Sequence, residues 1–242
     1  MAALMRLVRE ATAIHLLAVV NESAHVSRIL SPRASGQRVL ACALVVMALS
    51  MACWTSEAGT AGQSSAKLAS ISVKDVKGDT VKPLFDTGQK ATVMFFVMHE
   101  CPVANGYAPE ISRITSEYAT KGVRAFVVYV ESDLTEEQAR GHARDYGYKS
   151  GALLDPQHLL VKAAGATVSP EAVAFSPAGD VLYRGRIDDR AVDFGKRRVE
   201  PTRRDLRLAL DAILAGKPVP ARLTKAVGCY IPEAHPPKPD RK

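Results

Sequence analysis

The stretch that decides the fold is Ala91-Thr-Val-Met-Phe-Phe-Val-Met98, which runs directly into His99-Glu100-Cys101-Pro102. This uncharged run has the length of one strand, and a strand that is apolar on both faces belongs in the middle of a covered sheet. The proline after Cys101 favours the start of a helix, because proline needs no N–H partner in the first helical turn. The sequence therefore predicts a buried strand that ends at a cysteine on a helix N-terminus.

The residues that follow switch between helical and strand periodicity. Tyr107, Ile111, Ile114 and Tyr118 share one helical face that closes near Gly122. The other predicted strands are Ile71–Val73, Val123–Val130, Ala152–Leu154, Glu171–Phe175 and Val181–Tyr183. The other predicted helices are Thr135–Tyr146, Leu159–Ala164 and Thr202–Gly216. From Ala91 onward they alternate, then form a hairpin and a last helix, and this order predicts an α/β fold with a central mixed sheet flanked by helices.

Capping motifs mark the start of two of these helices. Thr135 with Gln138 forms a capping box for the second, and Thr202 with Asp205 is predicted to cap the last one.

Composition is that of an ordinary soluble globular chain. Of 242 residues, 47% are hydrophobic and 24% are charged, and the formal net charge is +7. The excess of basic residues is not interleaved with aromatic residues, so no nucleic-acid partner is expected.

The N-terminal region resembles an export signal. Arg28, Arg33 and Arg38 precede the apolar run Val39–Trp54, and small polar residues follow it. An uncleaved anchor remains the alternative, although the run is short for a bilayer span. Cys53 loosely matches a lipoprotein box, but Ser50 stands where leucine is usual.

These features predict three segments: a signal or anchor with linker over residues 1–66, a globular domain over 67–217, and a C-terminal arm over 218–242 that carries Cys229. The domain is expected to be exported, either periplasmic or anchored on the outer side of the cytoplasmic membrane. Any membrane contact is expected only through the N-terminal segment.

Four cysteines are present, and Cys42 and Cys53 fall in the signal region. The two that remain, Cys101 and Cys229, either pair or carry redox chemistry in an exported protein. At a helix N-terminus, backbone N–H groups and the helix dipole favour the thiolate of Cys101, which is the nucleophilic form. A buried structural cysteine without reactivity is the alternative at this position.

Several motifs resemble the thioredoxin superfamily, and more closely its redoxin branch, which includes alkyl hydroperoxide reductase and thiol-specific antioxidant proteins. The motifs are Phe95-Phe96-Val97, Cys101-Pro102, Pro109, Val168-Ser169-Pro170-Glu171, Gly179-Asp180, Tyr183–Asp189 and Gly228–Ile231. The resemblance implies a thioredoxin-like fold, a cis Pro170 beside the thiol, and a substrate groove formed by Pro102, Ser169 and Pro170. It implies attack by Cys101 on a peroxide or a protein disulfide, an external thiol as reductant, and no cofactor.

The chain also departs from both standard members of that superfamily. Ala104 replaces the second cysteine of Cys-x-x-Cys, and Phe95 replaces the buried acid of thioredoxins. Met98 and Met94 stand where peroxiredoxins have a hydroxyl residue and a proline. A nearby resolving thiol is therefore missing, and Cys229 is left as the candidate distal resolving cysteine; a permanent structural disulfide and an unpaired thiol are the alternatives.

Other residues are candidates for tuning the thiolate, namely His99, Glu100 and Arg184. A weaker alternative is a copper or other soft-metal site made by His99, Cys101 and Cys229. A third is a domain that kept the fold and lost the chemistry.

Overall fold

The computed structural model describes residues 70–84 and 88–235. The predicted signal over residues 39–54, with Cys42 and Cys53, lies outside the described residues, as does the end of the arm from residue 236. Within the described ranges, no helix combines the length and apolarity needed to cross a membrane.

A seven-stranded mixed sheet forms the centre of the domain. Its strands are β1 (Val73–Asp75), β2 (Thr80–Val81), β3 (Ala91–Val97), β4 (Val123–Tyr129), β5 (Gly151–Leu154), β7 (Glu171–Phe175) and β8 (Val181–Gly185). Their order is β2-β1-β5-β4-β3-β7-β8. The α/β class and the mixed sheet are confirmed, while the first strand lies two residues later than predicted.

Strand β3 occupies the position that its sequence predicts. It runs parallel to β4, with Phe95 opposite Val127, and antiparallel to β7, with Phe95 opposite Ala172. All of its residues are buried. Since neighbours cover both edges and helices cover both faces, a charge anywhere on this strand would lose its solvation.

Four helices cover the sheet: α1 (Pro102–Ala119), α2 (Glu136–Asp145), α3 (Leu159–Ala164) and α4 (Asp205–Leu214). Phe95 packs in one cluster with Ile111 of α1 and Leu206 of α4. The next residue, Phe96, packs in the opposite cluster with Leu160 of α3. The alternation of side chains along β3 thus separates two apolar layers.

The predicted cap of the last helix is wrong. Helix α4 begins at Asp205 after Arg204, which makes no side-chain capping bond. The Thr202 hydroxyl instead donates a short hydrogen bond to Asp189, whose other oxygen accepts from the backbone N–H groups of Thr202 and Arg203 at 2.8 and 2.9 Å. Asp205 is held by Arg186 at 2.6 Å. A long-range acceptor therefore takes the role that the local pattern assigned to Asp205.

Two small sheets lie outside the central one. Strands β9 (Ala191–Asp193) and β10 (Lys196–Arg197) form a hairpin. Strands β6 (Val168–Ser169) and β11 (Cys229–Tyr230) pair antiparallel. The segment around Cys229, which carries no periodic signal in the sequence, is therefore a strand.

We expect the Asp189 bonds to make stability depend on acid. The hydrogen bond from Thr202 lowers the pKa of Asp189 to about 2, against the opposing effect of burial. Because the folded-state pKa lies below the unfolded value of about 3.9, this contribution is complete above pH 4 and is lost as the pH falls toward 2. Asp189→Asn should lower the free energy of unfolding at pH 7 by about 1–3 kcal/mol and flatten the fall in Tm between pH 4 and pH 2. Asp193→Asn, on an exposed hairpin, is the matched control; equal acid profiles for the two variants would contradict the assignment.

Candidate active site

Cys101 lies at the end of β3 and caps helix α1. Its sulfur accepts a hydrogen bond from the Ala104 N–H at 3.5 Å, and Pro102 follows as the first helical residue. Only 2% of the Cys101 surface is exposed. The predicted placement at a helix N-terminus is confirmed.

The turn before β7 forms the wall of the site opposite the helix. The Ser169–Pro170 peptide bond is cis, as the resemblance implied. The Ser169 carbonyl oxygen lies 3.1 Å from Cys101 Sγ, and the Ser169 hydroxyl oxygen accepts from the Met98 N–H at 2.8 Å. The structure thus brings Ser169 to the thiol, with the cis Pro170 next to it in the chain.

Cys229 lies directly beside Cys101. Its sulfur is 2.8 Å from that of Cys101, although the two residues are 128 positions apart in the sequence. Both are free thiols in this structure. A covalent disulfide has a sulfur–sulfur distance of about 2.05 Å, so closing the bond needs a movement of less than about 1 Å.

The approach of the arm to the cis-proline turn requires a glycine. In β11, Cys229 pairs with Ser169 and Tyr230 with Val168. A Cβ on Gly228 would lie 2.0 Å from the Ser169 carbonyl oxygen and 3.1 Å from the Pro170 ring. Only a residue without a side chain fits here, so Gly228 lets the backbone bring Cys229 into position.

A second contact fixes the arm upstream of Cys229. The Arg184 N–H donates to the Arg222 carbonyl at 2.8 Å, and the Thr224 N–H donates to the Arg184 carbonyl at 3.0 Å. The Thr224 hydroxyl bonds Tyr183 at 2.7 Å and accepts from the Arg186 N–H at 3.1 Å. The arm is therefore clasped to the edge of β8 before it reaches the site.

The two thiols differ in their proton affinity. Burial of the Cys101 thiol acts to raise its pKa, but hydrogen bonds from the Cys229 thiol, the Ala104 and Cys229 backbone N–H groups and Ser169 outweigh it and lower the pKa. Burial, the hydrogen bond to Cys101 and the charge of Cys101 together raise the pKa of Cys229 to about 11. Of the two thiols, Cys101 therefore loses its proton first and Cys229 keeps its proton.

An open cleft of about 410 Å³ gives access to both sulfurs. It is lined by both cysteines, His99, Glu100 and Glu131, among others. Glu131 accepts from the backbone N–H of His99 at 2.6 Å, and its carboxylate pairs with His99 Nδ1 at 2.8 Å. The second Glu131 oxygen is buried and has no hydrogen-bond partner among the described residues. The sequence analysis did not identify Glu131. The one feature that could have indicated it is its position as an acidic residue directly after the predicted strand Val123–Val130.

The three residues predicted to tune the thiolate lie at different places relative to Cys101. His99 lines the cleft with Cys101. The Glu100 side chain is 88% exposed and contacts His99 at 3.7 Å. Arg184 makes a short bond to the Gly165 carbonyl and a pair with Glu171 at 3.7 Å, so its described contacts are with these groups rather than with the thiol.

A polar chain behind the helix start was also missed. The Asn105 amide donates to the His99 carbonyl at 2.9 Å and its oxygen meets His142 Nε2 at 3.0 Å. His142 Nδ1 bonds the Tyr129 hydroxyl at 2.8 Å. Burial and the nearby His99 lower the pKa of His142. This series of hydrogen bonds from Asn105 to Tyr129 is therefore uncharged, and it fixes the turn that carries Cys101.

The structure gives the metal alternative no support. Within the part of the chain that is described, no group of three His, Cys, Asp or Glu side chains is arranged to hold a metal ion.

Comparisons with known proteins identify a matching family model and similar solved structures. A family model described as Redoxin matches residues 63–194, more than half of the chain. Cys101 lies inside this match and Cys229 lies outside it. No curated protein sequence matches the chain significantly.

Among solved structures, the chain resembles a hypothetical protein from Sinorhizobium meliloti, with a TM-score of 0.58 and 24% identity over 66% of this chain and 89% of that one. It also resembles an uncharacterized conserved protein from Geobacillus kaustophilus, with a TM-score of 0.58 and 27% identity over 66% and 87%. A thioredoxin-like protein from Aeropyrum pernix aligns over 66% of this chain and 96% of its own at 16% identity, with a TM-score of 0.47.

We expect Cys229 to hold down the pKa of Cys101. Cys229→Ala removes a donor to the Cys101 sulfur, so the pKa of Cys101 should rise. Cys229→Ser keeps a hydroxyl donor and should raise it less. The pH dependence of Cys101 alkylation by iodoacetamide, resolved by peptide mass spectrometry, measures both. Identical profiles for wild type and Cys229→Ala would contradict the assignment.

Gly228→Ala should displace the arm, because the added Cβ meets a backbone oxygen that cannot rotate away. We expect a loss of about 1–3 kcal/mol of unfolding free energy, the usual cost of overpacking, and much slower pairing of the two cysteines. The matched control is Gly141→Ala in helix α2, where a Cβ would meet nothing within 4 Å. Thermal unfolding and timed thiol trapping test this; wild-type pairing rates in Gly228→Ala would refute the need for glycine.

Proposed function

The chain belongs to the redoxin family, and we propose that it is a thiol oxidoreductase in which Cys101 and Cys229 cycle between a dithiol and a disulfide. The observation that carries the proposal is the 2.8 Å distance between the two sulfurs. The family relation supports thiol redox chemistry. The short distance supports Cys229 as the partner thiol, in place of the second cysteine that a Cys-x-x-Cys motif would contain.

Cys101 is the group that meets the oxidant. It is the thiol of the pair that loses its proton first, and it lines the cleft. With a hydroperoxide, an S–O bond forms as the O–O bond breaks, leaving a sulfenic acid and an alcohol or water. With a disulfide, Cys101 forms a mixed disulfide and one thiolate leaves.

Cys229 completes either reaction. Its sulfur attacks Cys101, and the S–S bond forms while hydroxide or the second thiolate leaves and takes up the Cys229 proton. Two electrons have then passed from the two thiols to the oxidant. An external thiol reductant, which must supply two electrons, restores the dithiol.

An oxidising compartment fits this cycle. The apolar run at Val39–Trp54 after several arginines supports export of the domain, and exported proteins are where disulfides persist. We propose a location outside the cytoplasmic membrane, with the N-terminal segment as signal or anchor.

Wild-type protein should form one Cys101–Cys229 disulfide within seconds of adding one equivalent of hydrogen peroxide or of a peptide disulfide. Both thiols face each other, so closure needs little movement. Acid quench, alkylation and peptide mapping follow the pairing. Cys229→Ser should instead accumulate Cys101 sulfenic acid or a Cys101 mixed disulfide.

A faster reaction of Cys101 with hydrogen peroxide indicates a peroxidase, and a faster reaction with the peptide disulfide indicates a disulfide reductase. The proposal fails if Cys101 reacts no faster with either oxidant than the thiols of the same protein in urea.

A further inference from the structure

We propose that strand β11 fills the groove in which an extended polypeptide would pair beside Cys101, and that the external thiol reductant therefore attacks the sulfur of Cys229, with Cys101 as the leaving thiolate. This inference rests on the redox cycle proposed above. It assigns the entry point of the reducing partner to a residue outside the segment that the family model matches.

The backbone positions beside Cys101 are already occupied. Ser169 and Val168 pair with Cys229 and Tyr230, and the Ile231 N–H donates to the Thr167 carbonyl at 3.0 Å. An incoming protein segment that added a strand at this edge would have to displace the arm. Ser169 belongs to the substrate groove implied by the resemblance, and the chain's own arm pairs with it.

The arm is fixed on both sides of the cysteine. Upstream, Thr224 contacts Gly185 so closely that a Cβ on the glycine would lie 2.3 Å from the Thr224 carbonyl oxygen. Downstream, the His235 N–H donates to the Ser132 hydroxyl at 3.2 Å. Because the arm is held at both ends, it stays in the groove, and an incoming partner meets the surface of the arm.

Access to the two sulfurs is unequal. Cys101 is 2% exposed, whereas Cys229 is only half-buried and its neighbour Tyr230 is 82% exposed. A thiol carried on a protein surface meets Cys229 first, because Cys229 is the more exposed of the two cysteines. The exposed ring of Tyr230 offers an apolar contact to such a partner.

The chemistry of exchange favours the same direction. Thiol–disulfide exchange is faster when the leaving thiol has the lower pKa. The Ala104 and Cys229 backbone N–H groups still act to lower the pKa of Cys101 when Cys229 is bonded to the partner. Burial raises the pKa of Cys229. Attack on Cys229 therefore expels the better leaving group.

Electrons and protons balance in two steps. The thiolate of the partner attacks Cys229; a bond forms between the partner sulfur and Cys229 as the Cys229–Cys101 bond breaks, leaving Cys101 as a thiolate. A second thiol of the partner then attacks its own first sulfur, so the partner becomes a disulfide and Cys229 takes up a proton as a thiol.

The test uses the full chain with its disulfide formed first and verified by peptide mapping. Two probes are added separately: glutathione, and a thioredoxin whose second cysteine is replaced so that its mixed disulfide persists. After milliseconds to seconds the reaction is quenched in acid, free thiols are alkylated, and the modified cysteine is located by mass spectrometry.

With the thioredoxin probe, we expect at least about tenfold more adduct on Cys229 than on Cys101, with the freed Cys101 alkylated. Gly228→Ala, which loosens the arm, should shift adduct toward Cys101, whereas Gly141→Ala should behave as wild type. Adduct mainly on Cys101, or no adduct on Cys229 from either probe, overturns the inference. If the starting disulfide never forms, the proposed redox cycle has failed instead.

Discussion

The contact between Gly228 and the Ser169 carbonyl is the constraint on which the site depends. It lets β11 pair with β6 and places Cys229 against Cys101. Closing a loop across 128 residues costs about 4 kcal/mol in chain entropy. The backbone hydrogen bond between Thr224 and Arg184 accounts for most of this loop-closure entropy, since only a short loop from Thr224 to Cys229 then remains to be closed. The thiol pair is thus a property of the folded arm rather than of a flexible tail that visits the site.

The thiolate form of Cys101 is favoured without an acid at position 95 or a hydroxyl residue at position 98, where the two standard members of the superfamily have them. Phe95 is fully buried in β3, where thioredoxins have a carboxylate. The four stabilising groups are the N–H of Ala104 at the helix start, Ser169, and the thiol and N–H of Cys229. Half of the donors therefore come from the arm, so moving the arm away would change both the access to Cys101 and its proton affinity. The neutral chain from Asn105 through His142 to Tyr129 holds the turn rigid without adding a charge.

Local patterns predicted the central part of the fold and one half of the site. The run at Ala91–Met98 and the capping box at Thr135 have strong local signals, and both elements formed where expected. The cap at Thr202 failed because Asp189, thirteen positions earlier in the chain, competes for the same hydroxyl. Nothing local in Gly228-Cys229-Tyr230 indicates a strand, since its pairing partner β6 lies far away and the pairing depends on a close backbone approach. Sequence spacing could not decide between a resolving, a structural and an unpaired Cys229, because reach is set by that approach.

The distal cysteine also explains why Ala104 can stand where a second active-site cysteine is usual. Ala104 is fully buried, and its N–H, rather than its side chain, faces Cys101. A thiol on the helix at that position would be as enclosed as Cys101, and any partner would have to enter the groove to reach the pair. Placing the second thiol on the arm keeps Cys101 enclosed and leaves the other cysteine half-buried. The groove-filling strand and the accessible cysteine are therefore two consequences of one placement: the same backbone pairing that closes the groove to an added strand leaves Cys229 partly exposed.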